Sequence, residues 1–405
     1  MTAPRPERVA PATDAPGSST GTGGGHGAGN RRTLTAILGS ITAMGITMGL
    51  TFPLFSVVLD RMGLDAALVG LSLSIQVGAA LVIGPFVPWL LARIGAVPLM
   101  FWGIGCAAIA ILVAGHIDEV WLWFVIRFLV GAGMAVHWIL SETWLNRVVS
   151  DFNRGFVAGI YQALVGLGFA IGPLILGLTG SESFAPYAIA TAVILAGAVP
   201  LLWIRADAPV MTHQQGQTTL SVLRFAPVIM LAAVISGFVD NATVGLLPVY
   251  GLRLGMSEAA AVLQIAIATI GAVLLQLPIG WLGDRIGRRK TLVACAIVKT
   301  VGVLLLPLVV YTPWLLWPVL FIWGGAMVAF YTLALALLGS TFRGDTLAKA
   351  SSTLVMTYCV GSIVGPTVVG ATMDLMGPHG FVVGMAVASG MLVLVGLLRV
   401  KAERF

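Results

Sequence analysis

Residues 280–290 read GWLGDRIGRRK, a short polar segment in which an acid and a basic run follow two glycines. A related segment, WLLARIG at residues 89–95, keeps its tryptophan, arginine and last glycine 192 positions earlier. Two further pairs repeat at offsets of 192 and 193: RMGL at 61–64 with RLGM at 253–256, and GxxxGP at 168–173 with that at 361–366. Three matches at nearly one offset predict two similar halves arranged in parallel.

The composition around these repeats is typical of a membrane protein. Of the 405 residues, 58% are apolar and only 9% are charged, whereas an average soluble domain is roughly a quarter charged. So few charges cannot coat the surface of several water-soluble domains. The 50 glycines and 11 tryptophans fit the close helix packing and the interfacial positions found in membrane proteins. The apolar runs are continuous rather than alternating, which argues against a transmembrane β-barrel.

Apolar runs recur from Thr33 onward, each long enough to cross roughly 30 Å of hydrocarbon as a helix. They predict an all-α polytopic membrane protein with twelve transmembrane helices in two six-helix, pseudo-symmetric bundles. The predicted helices span residues 34–58, 67–91, 97–115, 120–141, 156–178, 185–204, 226–250, 259–282, 291–310, 314–338, 352–373 and 380–398. The predicted organisation is a disordered tail at 1–32, an N-terminal bundle at 33–204, a linker at 205–223, a C-terminal bundle at 224–400 and a tail at 401–405.

Lysine and arginine are distributed unevenly between alternate loops. With the N-terminus inside, 18 of the 22 lie in cytoplasmic segments, and only Arg61 and Arg253 lie in outside loops. Because basic loops stay in the cytoplasm, both termini are predicted to be cytoplasmic. The net charge of +6 is therefore explained by the basic cytoplasmic segments, and no nucleic-acid partner is expected. The three cysteines lie inside apolar runs at spacings that fit neither a zinc site nor a disulfide framework, so no metal or cofactor is expected.

The segment at 280–290 resembles the loop signature of the major facilitator superfamily, and ETWLN at 142–146 followed by Arg154 and Gly155 is similar to its bacterial YcaD-like branch. The resemblance covers nearly all of residues 33–400. It implies the major facilitator fold and a secondary active transporter of the bacterial inner membrane that works by alternating access. A small-molecule substrate, protons and the lipid bilayer are the expected partners of a monomeric chain that is not an enzyme.

The loop signature implies a breakable ionic latch at the cytoplasmic end, in which Asp284 and the basic residues after it can pair. In the first copy Ala92 stands where the acid belongs. Glu142 ends the fourth predicted helix and is expected to pair with Arg93 or Arg154, with a proton-carrying role as the alternative. The predicted cytoplasmic gate comprises Arg93, Glu142, Arg154, Gly280, Gly283, Asp284, Arg285 and Arg288.

Charged side chains at membrane depth are costly unless they face protein or water. Arg127 in the fourth run resembles the superfamily's membrane-embedded arginine motif, and Asp240 in the seventh run is a candidate for proton exchange. A static pair between these two, and a solvated acid at the external mouth, are the alternatives for Asp240. Proton coupling is assigned to Asp240, Arg127 and Glu142. Lys299 is expected to face lipid or to pack, because the third and sixth helices of each half are peripheral in the superfamily, and His137 is expected to be packed or hydrogen-bonded.

The substrate cavity is expected between helices one, four, seven and ten. Its few charges favour a neutral, amphipathic or weakly cationic organic solute over a phosphate ester. The predicted cavity residues are Thr47, Gln76, Trp138, Tyr161, Gln162, Asn241, Tyr331, Thr357 and Tyr358. The repeated Gly-Pro pattern resembles the superfamily's antiporter motif and predicts a helix pivot at Gly168, Gly172, Pro173, Gly361, Gly365 and Pro366, with plain helix packing as the alternative.

The expected function is proton-coupled antiport, in the direction of efflux, of a small organic solute. Proton-coupled uptake or passive facilitation is the alternative within transport. A membrane sensor or a lipid-handling protein on the same fold is the alternative of another class. Energy from ATP is not expected, because the Lys-Thr pair at 290–291 lacks the glycine spacing of a phosphate-binding loop.

Overall fold

The computed structural model describes residues 23–149, 154–207, 226–342 and 344–402, with side chains for 32–149, 156–204, 226–342, 346–347 and 349–398. These residues form helices and no strands, and 12 helices are long and apolar enough to cross a membrane. They are α1 (Gly23–Arg61), α2 (Ala66–Ile94), α3 (Ala96–Ala114), α4 (Val120–Val148), α5 (Arg154–Thr179), α6 (Ala185–Ala198, continued by the 3-10 segment Val199–Asp207), α7 (Pro227–Arg253), α8 (Glu258–Ile286), α9 (Arg288–Val309), α10 (Pro313–Thr341), α11 (Gly344–Met376) and α12 (Gly380–Ala402).

The predicted fold class and the number and order of helices are confirmed. Several helices run past their predicted ends, because helical geometry continues through polar residues that a count of apolar positions leaves out. α8, for example, extends to Ile286. Of the predicted tail at 1–32, residues 1–22 lie outside the described residues, while the remainder belongs to α1. Most of the linker at 205–223 and residues 403–405 also lie outside them.

The helices pack as two equivalent sets of six. In the N-terminal half α1 packs on α4, α5 and α6, α2 on α4, and α3 on α4 and α6. Adding six to each number gives the contacts of the C-terminal half: α7 on α10, α11 and α12, α8 on α10, and α9 on α10 and α12. The repeated sequence segments thus correspond to a repeated arrangement of helices.

The two halves meet mainly along α2 with α11 and along α5 with α8, with further contacts between α1 and α7. The loops at 62–65, 180–184, 254–257 and 377–379 lie together at one end of the bundle, the loop end. The opposite end, the terminal end, carries the two described chain ends and the short connections at 95 and 287.

The halves diverge from the loop end toward the terminal end. A methyl group added at Gly70 of α2 would meet the backbone of α11, and one added at Gly78 would lie 3.6 Å from a side chain of that helix. At Gly84, which the helical period of about 100° per residue places on a similar face, nothing lies within 4 Å. α5 shows the same trend against α8, from a 2.8 Å approach at Gly166 to open space at Gly159. Among the described residues, the halves are therefore in close contact at the loop end and separated at the terminal end.

Candidate functional site

An arginine at the end of α7 joins the two halves at the loop end. The Arg253 guanidinium lies 2.9 Å from the Asp60 carboxylate of α1 and 3.4 Å from that of Asp374 on α11. The Asp374 oxygens also accept hydrogen bonds from the backbone N–H groups of Ala66 and Ala67, each at 2.8 Å. Asp374 therefore caps the first turn of α2 in the other half, where a negative charge is also favoured by the helix dipole.

A second arginine makes the equivalent contacts one repeat earlier. The Arg61 guanidinium lies 2.6 Å from Glu258 of the C-terminal half and 3.2 Å from Glu182 of its own half. Ser181 accepts from Arg61 at 2.9 Å and donates to Glu258 at 3.1 Å. Arg61 and Arg253, like Glu182 and Asp374, are 192 residues apart. Each arginine thus holds one acid of its own half and one acid across the interface.

Six charged residues together form the loop-end seal: Asp60, Arg61, Glu182, Arg253, Glu258 and Asp374. The sequence does not predict this seal directly, because Arg61 and Arg253 stand out there only as loop charges and as members of a repeat, with no indication of their acidic partners. The repeated RMGL and RLGM segments were the signal that could have found it, since a basic residue kept in both halves indicates a shared role.

Within the membrane-spanning part of the C-terminal half, Asp240 of α7 pairs with Lys299 of α9. The Lys299 Nζ lies 3.5 Å from one Asp240 oxygen, and the Ser236 hydroxyl donates to the other at 3.0 Å. Lys299 is 1% exposed and Asp240 is 18% exposed. The acid is therefore partly accessible, and the lysine is almost fully enclosed.

The expectation that Lys299 faces lipid or only packs is wrong. An ammonium in hydrocarbon is costly, and in this protein it turns inward to a carboxylate. Its Nζ also lies 5.0 Å from the ring centroid of Phe330 and 5.8 Å from that of Trp323, both on α10. The Trp323 indole donates to the Lys299 carbonyl at 3.1 Å, which fixes this ring beside the ammonium. Lys299 consequently has a carboxylate and two aromatic faces as neighbours.

Arg127 occupies a separate, neutral environment in the N-terminal half. Its guanidinium donates to Gln76 at 2.7 Å and to Ser56 at 3.0 Å, and it lies 5.2 Å from the ring centroid of Phe55. The side chain is fully buried. The alternative in which Asp240 pairs statically with Arg127 is therefore not observed. Arg127 instead ties α4 to α1 and α2.

Four of the predicted cavity residues form two aromatic pairs, one in each half. The rings of Trp138 and Tyr161 are 6.5 Å apart and nearly perpendicular at 88°, and those of Tyr331 and Tyr358 are 5.2 Å apart at 68°. Trp138 and Tyr331 are 193 residues apart and so occupy equivalent positions on α4 and α10. Edge-to-face geometry of this kind is favourable for aromatic rings and keeps them in place.

Glu142 follows Trp138 by one helical turn on α4 and is partly buried. Its side chain therefore lies on the same face of α4 as that of Trp138. For brevity, the two ring pairs together with Glu142 and Asp240 are called the central cluster: Trp138, Glu142, Tyr161, Asp240, Tyr331 and Tyr358.

The other predicted cavity residues are not brought into the central cluster. Gln76 is buried against Arg127, and Gln162 is exposed on α5. Thr47, Asn241 and Thr357 each donate to the backbone carbonyl four residues earlier in their own helix, at 2.8, 3.4 and 2.5 Å. The Thr47 hydroxyl also lies 3.4 Å from the Ala190 carbonyl of α6, and the Thr357 hydroxyl lies 3.8 Å from the Met230 sulfur of α7, so these contacts stay within the halves.

The packed role expected for His137 is confirmed, because its ring hydrogen-bonds to Ser40 of α1 at 2.8 Å and the residue is 1% exposed.

At the terminal end, the described contacts of the predicted gate stay within single halves. Asp284 pairs with Arg288 at 3.1 Å, and Arg288 also donates to the Ala336 carbonyl at 2.9 Å. Arg93 and Arg285 lie 4.3 and 4.2 Å from the ring centroids of the tryptophans one turn earlier in each repeat. Arg93 therefore does not pair with Glu142. The side chain of Arg154 lies outside the described residues.

The predicted pivot glycines pack inside each half. Methyl groups added at Gly168 and Gly172 would meet the backbone of α1, and groups added at Gly361 and Gly365 would meet the backbone of α7. Pro173 and Pro366 lie inside α5 and α11, while Gly280 has nothing within 4 Å and Gly283 approaches a side chain of α10. The close backbone contact is observed, and the pivoting motion stays a prediction.

Comparison with known proteins places these features in a family. The sequence model described as Major Facilitator Superfamily matches residues 36–271 and 229–404. The MFS-type transporter YfkF of Bacillus subtilis is 26% identical over 340 residues, which cover 82% of this chain and 87% of that protein. The MFS-type transporter YcaD of Salmonella arizonae is 29% identical over 290 residues, covering 70% and 73%. The similarity to the YcaD-like branch is thus confirmed.

Solved structures show the same fold at low sequence identity. A crystal structure of a mutant of the nucleoside transporter NupG superposes with a TM-score of 0.75 at 15% identity, covering 90% of this chain and 98% of that one. A bacterial homologue of the human lysosomal transporter Spinster, in an inward-facing and occupied conformation, gives 0.73 at 15% identity, covering 92% and 96%.

Proposed function

Because the chain belongs to the major facilitator superfamily, we propose that this transporter of a small solute is a secondary active antiporter, which exports an organic solute in exchange for protons. The observation that carries the proton coupling is the Asp240–Lys299 pair, which lies inside the membrane-spanning part and has one partly exposed member. An acid at membrane depth is a candidate for function by default, and this one is partly accessible.

The pair provides a chemical reason for coupling. Two opposite charges in a buried site stabilise each other, and loss of one leaves the other uncompensated. A proton that reaches Asp240 from the open side removes its charge and releases Lys299, which keeps the rings of Phe330 and Trp323 as neighbours. The proton thereby changes how strongly α7 is held to α9. Because α7 also contacts α1 of the other half, the charge state of Asp240 is linked to the arrangement of the two halves.

In the proposed transport cycle, the loop end and the terminal end open and close in turn. In the orientation predicted from the basic loops the terminal end faces the cytoplasm, so the described conformation is open to the inside. Opening to the outside requires the loop-end seal to break and the terminal end to close. The arginines of the seal are 38% and 26% exposed, and ion pairs that reach solvent contribute little enough to be exchanged during turnover. The Asp284 cluster, which comprises Asp284, Arg285 and Arg288, is the proposed latch of the opposite state.

A measurement of lumenal pH in proteoliposomes tests the exchange. The vesicles contain pyranine, the membrane voltage is clamped with valinomycin and equal potassium, and the added solute is one that raises the thermal stability of the purified protein. Solute entering by antiport removes protons and makes the lumen alkaline. Acidification would indicate proton-coupled uptake, and solute entry without a pH change would indicate facilitation.

The matched variants are Asp240→Asn and Asp118→Asn, the second at an exposed loop position. The proposal expects the pH response to disappear only in the first. Equal responses in both variants contradict the role of Asp240. Movement of labelled phospholipid between leaflets, without solute entry, would support a lipid-handling protein instead.

A further inference from the structure

Aromatic rings enclose Lys299 together with its carboxylate partner. The ring centroid of Phe330 lies 5.0 Å from the Lys299 Nζ and that of Trp323 lies 5.8 Å away, both within the range over which a ring face attracts a cation. Lys299 and Trp323 are 1% exposed, and Phe330 is fully buried. Because water is excluded from this site, the attraction between the ammonium and the rings is strong.

Two contacts hold the Trp323 ring beside the ammonium. Its indole N–H donates to the Lys299 carbonyl at 3.1 Å. Gly302, one helical turn after Lys299, leaves room for the ring, since a methyl group added there would lie 2.8 Å from the indole. Both contacts are made with the backbone of α9, so the position of this ring does not depend on the charge of Asp240.

Among the residues that the structure describes, Asp240 is the one carboxylate paired with Lys299. The helices that pack on α9 are α8, α10 and α12. Residues 313–341 of α10 and 380–398 of α12 include no charged side chain, and the charged residues of α8 lie at its ends. Cysteine and tyrosine, which are ordinarily uncharged at neutral pH, supply the other titratable groups on these helices and on α11 near this level: Cys295, Tyr331, Tyr358 and Cys359. When a proton neutralises Asp240, the two rings therefore remain to stabilise Lys299.

We infer that Phe330 and Trp323 are positioning residues of the proton step, whose rings keep Lys299 charged when a proton neutralises Asp240. The inference rests on the proposed proton step at that acid. Before the proton binds, the carboxylate and the ammonium balance, and afterwards the site carries one positive charge on Lys299. If Lys299 instead released a proton of its own, no net proton would be bound. The rings oppose that release, because a ring face attracts an ammonium far more strongly than a neutral amine.

Fluorination of the Phe330 ring tests this role, because fluorine withdraws negative charge from the ring face and nearly keeps the shape of the side chain. The Asp240→Asn variant represents the proton-loaded site. With trifluorophenylalanine at position 330, the purified full-length variant should unfold roughly 1–4 °C lower than with phenylalanine. In the double variant Asp240→Asn/Lys299→Met, which has no ammonium, the same replacement should leave the unfolding temperature unchanged. Equal shifts in the two backgrounds overturn the inference.

A pH profile of transport tests the same role with Asp240 unaltered, and so does not depend on a variant that folds. Trifluorophenylalanine at position 330 should move half-maximal solute accumulation to a more acidic lumen, because the proton-loaded site is then less stable. The same replacement at the buried Phe381, whose ring stacks on Tyr250, should leave the profile unchanged.

An unchanged profile with the fluorinated Phe330 overturns the inference. Transport by the unaltered protein that ignores pH refutes the proposed function instead, and the unfolding temperatures then still decide whether the rings hold the Lys299 ammonium.

Discussion

At the scale of single residues, the charges inside the membrane are divided unequally between two similar halves. Asp240 and Lys299 form an ion pair in the C-terminal half, while Arg127 of the N-terminal half is held by neutral groups. At the offset of 192 between α1 and α7, Met48 corresponds to Asp240, and at 192 or 193 Ala107 or Cys106 corresponds to Lys299, so the N-terminal half has no equivalent pair at these positions. The halves therefore share a scaffold and differ in the charges they carry at membrane depth, and the proton step proposed at Asp240 belongs to the C-terminal half.

The pair predicts a non-additive effect on stability. Lys299→Met leaves Asp240 without its buried partner, and the loss of one member of such a pair costs about 3–5 kcal/mol. The double variant Asp240→Asn/Lys299→Met removes both charges and should unfold at a higher temperature than Lys299→Met alone. Thermal unfolding of the purified variants checks this. Additive destabilisation in the double variant would show that the two side chains do not interact.

Sequence reasoning located Arg127 and Asp240 inside the membrane because a charge in an apolar run is conspicuous. It did not find the partner of either one. α9 is apolar on nearly all sides, so periodicity cannot tell which face Lys299 occupies. The partners of Arg127 are ordinary polar residues on other helices, and only tertiary packing brings them together. The two aromatic pairs were predicted in part, since all four residues were candidates for the substrate cavity. Which rings pair could not be predicted, because pairing depends on ring orientation.

At the scale of helices, α2 and α11 form the main contact between the halves. Their backbones touch at Gly70 and Gly370, where added methyl groups would meet Pro366 and Ala66 respectively. Asp374 of α11 caps α2 at the same place. The contact therefore combines close packing with a charge at a helix end. The repeats predicted this architecture from sequence, whereas the faces in contact required the structure.

Removing the Asp374 cap of α2 should shift the conformational equilibrium toward a state with an open loop end. Asp374→Asn loses the charge that Arg253 and the α2 N-terminus share, a loss of about 1–2 kcal/mol or about five- to thirtyfold in population. The distance between the halves at the loop end can be measured in a variant whose three native cysteines are replaced. Spin labels are attached at positions 118 and 311, which are exposed loop positions of the two halves. A longer-distance population should appear in Asp374→Asn. An unchanged distribution, matching the Glu119→Gln control, would contradict the seal.

The glycine contact predicts a steric effect in the same assay. Gly70→Ala places a methyl group against the α11 backbone and should separate the loop end or lower stability. Gly84→Ala adds the same group on a similar face of α2, where nothing lies within 4 Å. It should leave the distance distribution and the unfolding temperature unchanged. Equal behaviour of the two variants would refute the close packing at Gly70.

At the scale of the whole molecule, the interface between the two similar halves can be closed at either of its two ends. The loop end is sealed by six charged residues, and the terminal end carries the Asp284 cluster with its contacts confined to one half. Fold class, helix order and halves followed from the sequence, because apolar length and repeat spacing determine them. Which end is closed could not be predicted, since it depends on contacts between residues far apart in the chain.

Orientation in the membrane is a prediction at this scale. The distribution of lysine and arginine places both termini in the cytoplasm. A green fluorescent protein fused after residue 405 should therefore fluoresce in bacterial cells, and alkaline phosphatase at the same position should be inactive. The opposite pattern would reverse the assignment of the described conformation to the inward-open state.

The most direct test of proton exchange is accumulation of the stabilising solute in proteoliposomes under an imposed pH gradient at clamped voltage. An acidic lumen should drive the solute inward in the unaltered protein, and dissipating the gradient should abolish accumulation. Asp240→Asn should show no response to the gradient, whereas Asp118→Asn should respond normally. Solute movement that ignores the gradient, or an Asp240→Asn variant that still accumulates solute under it, would contradict proton coupling through Asp240.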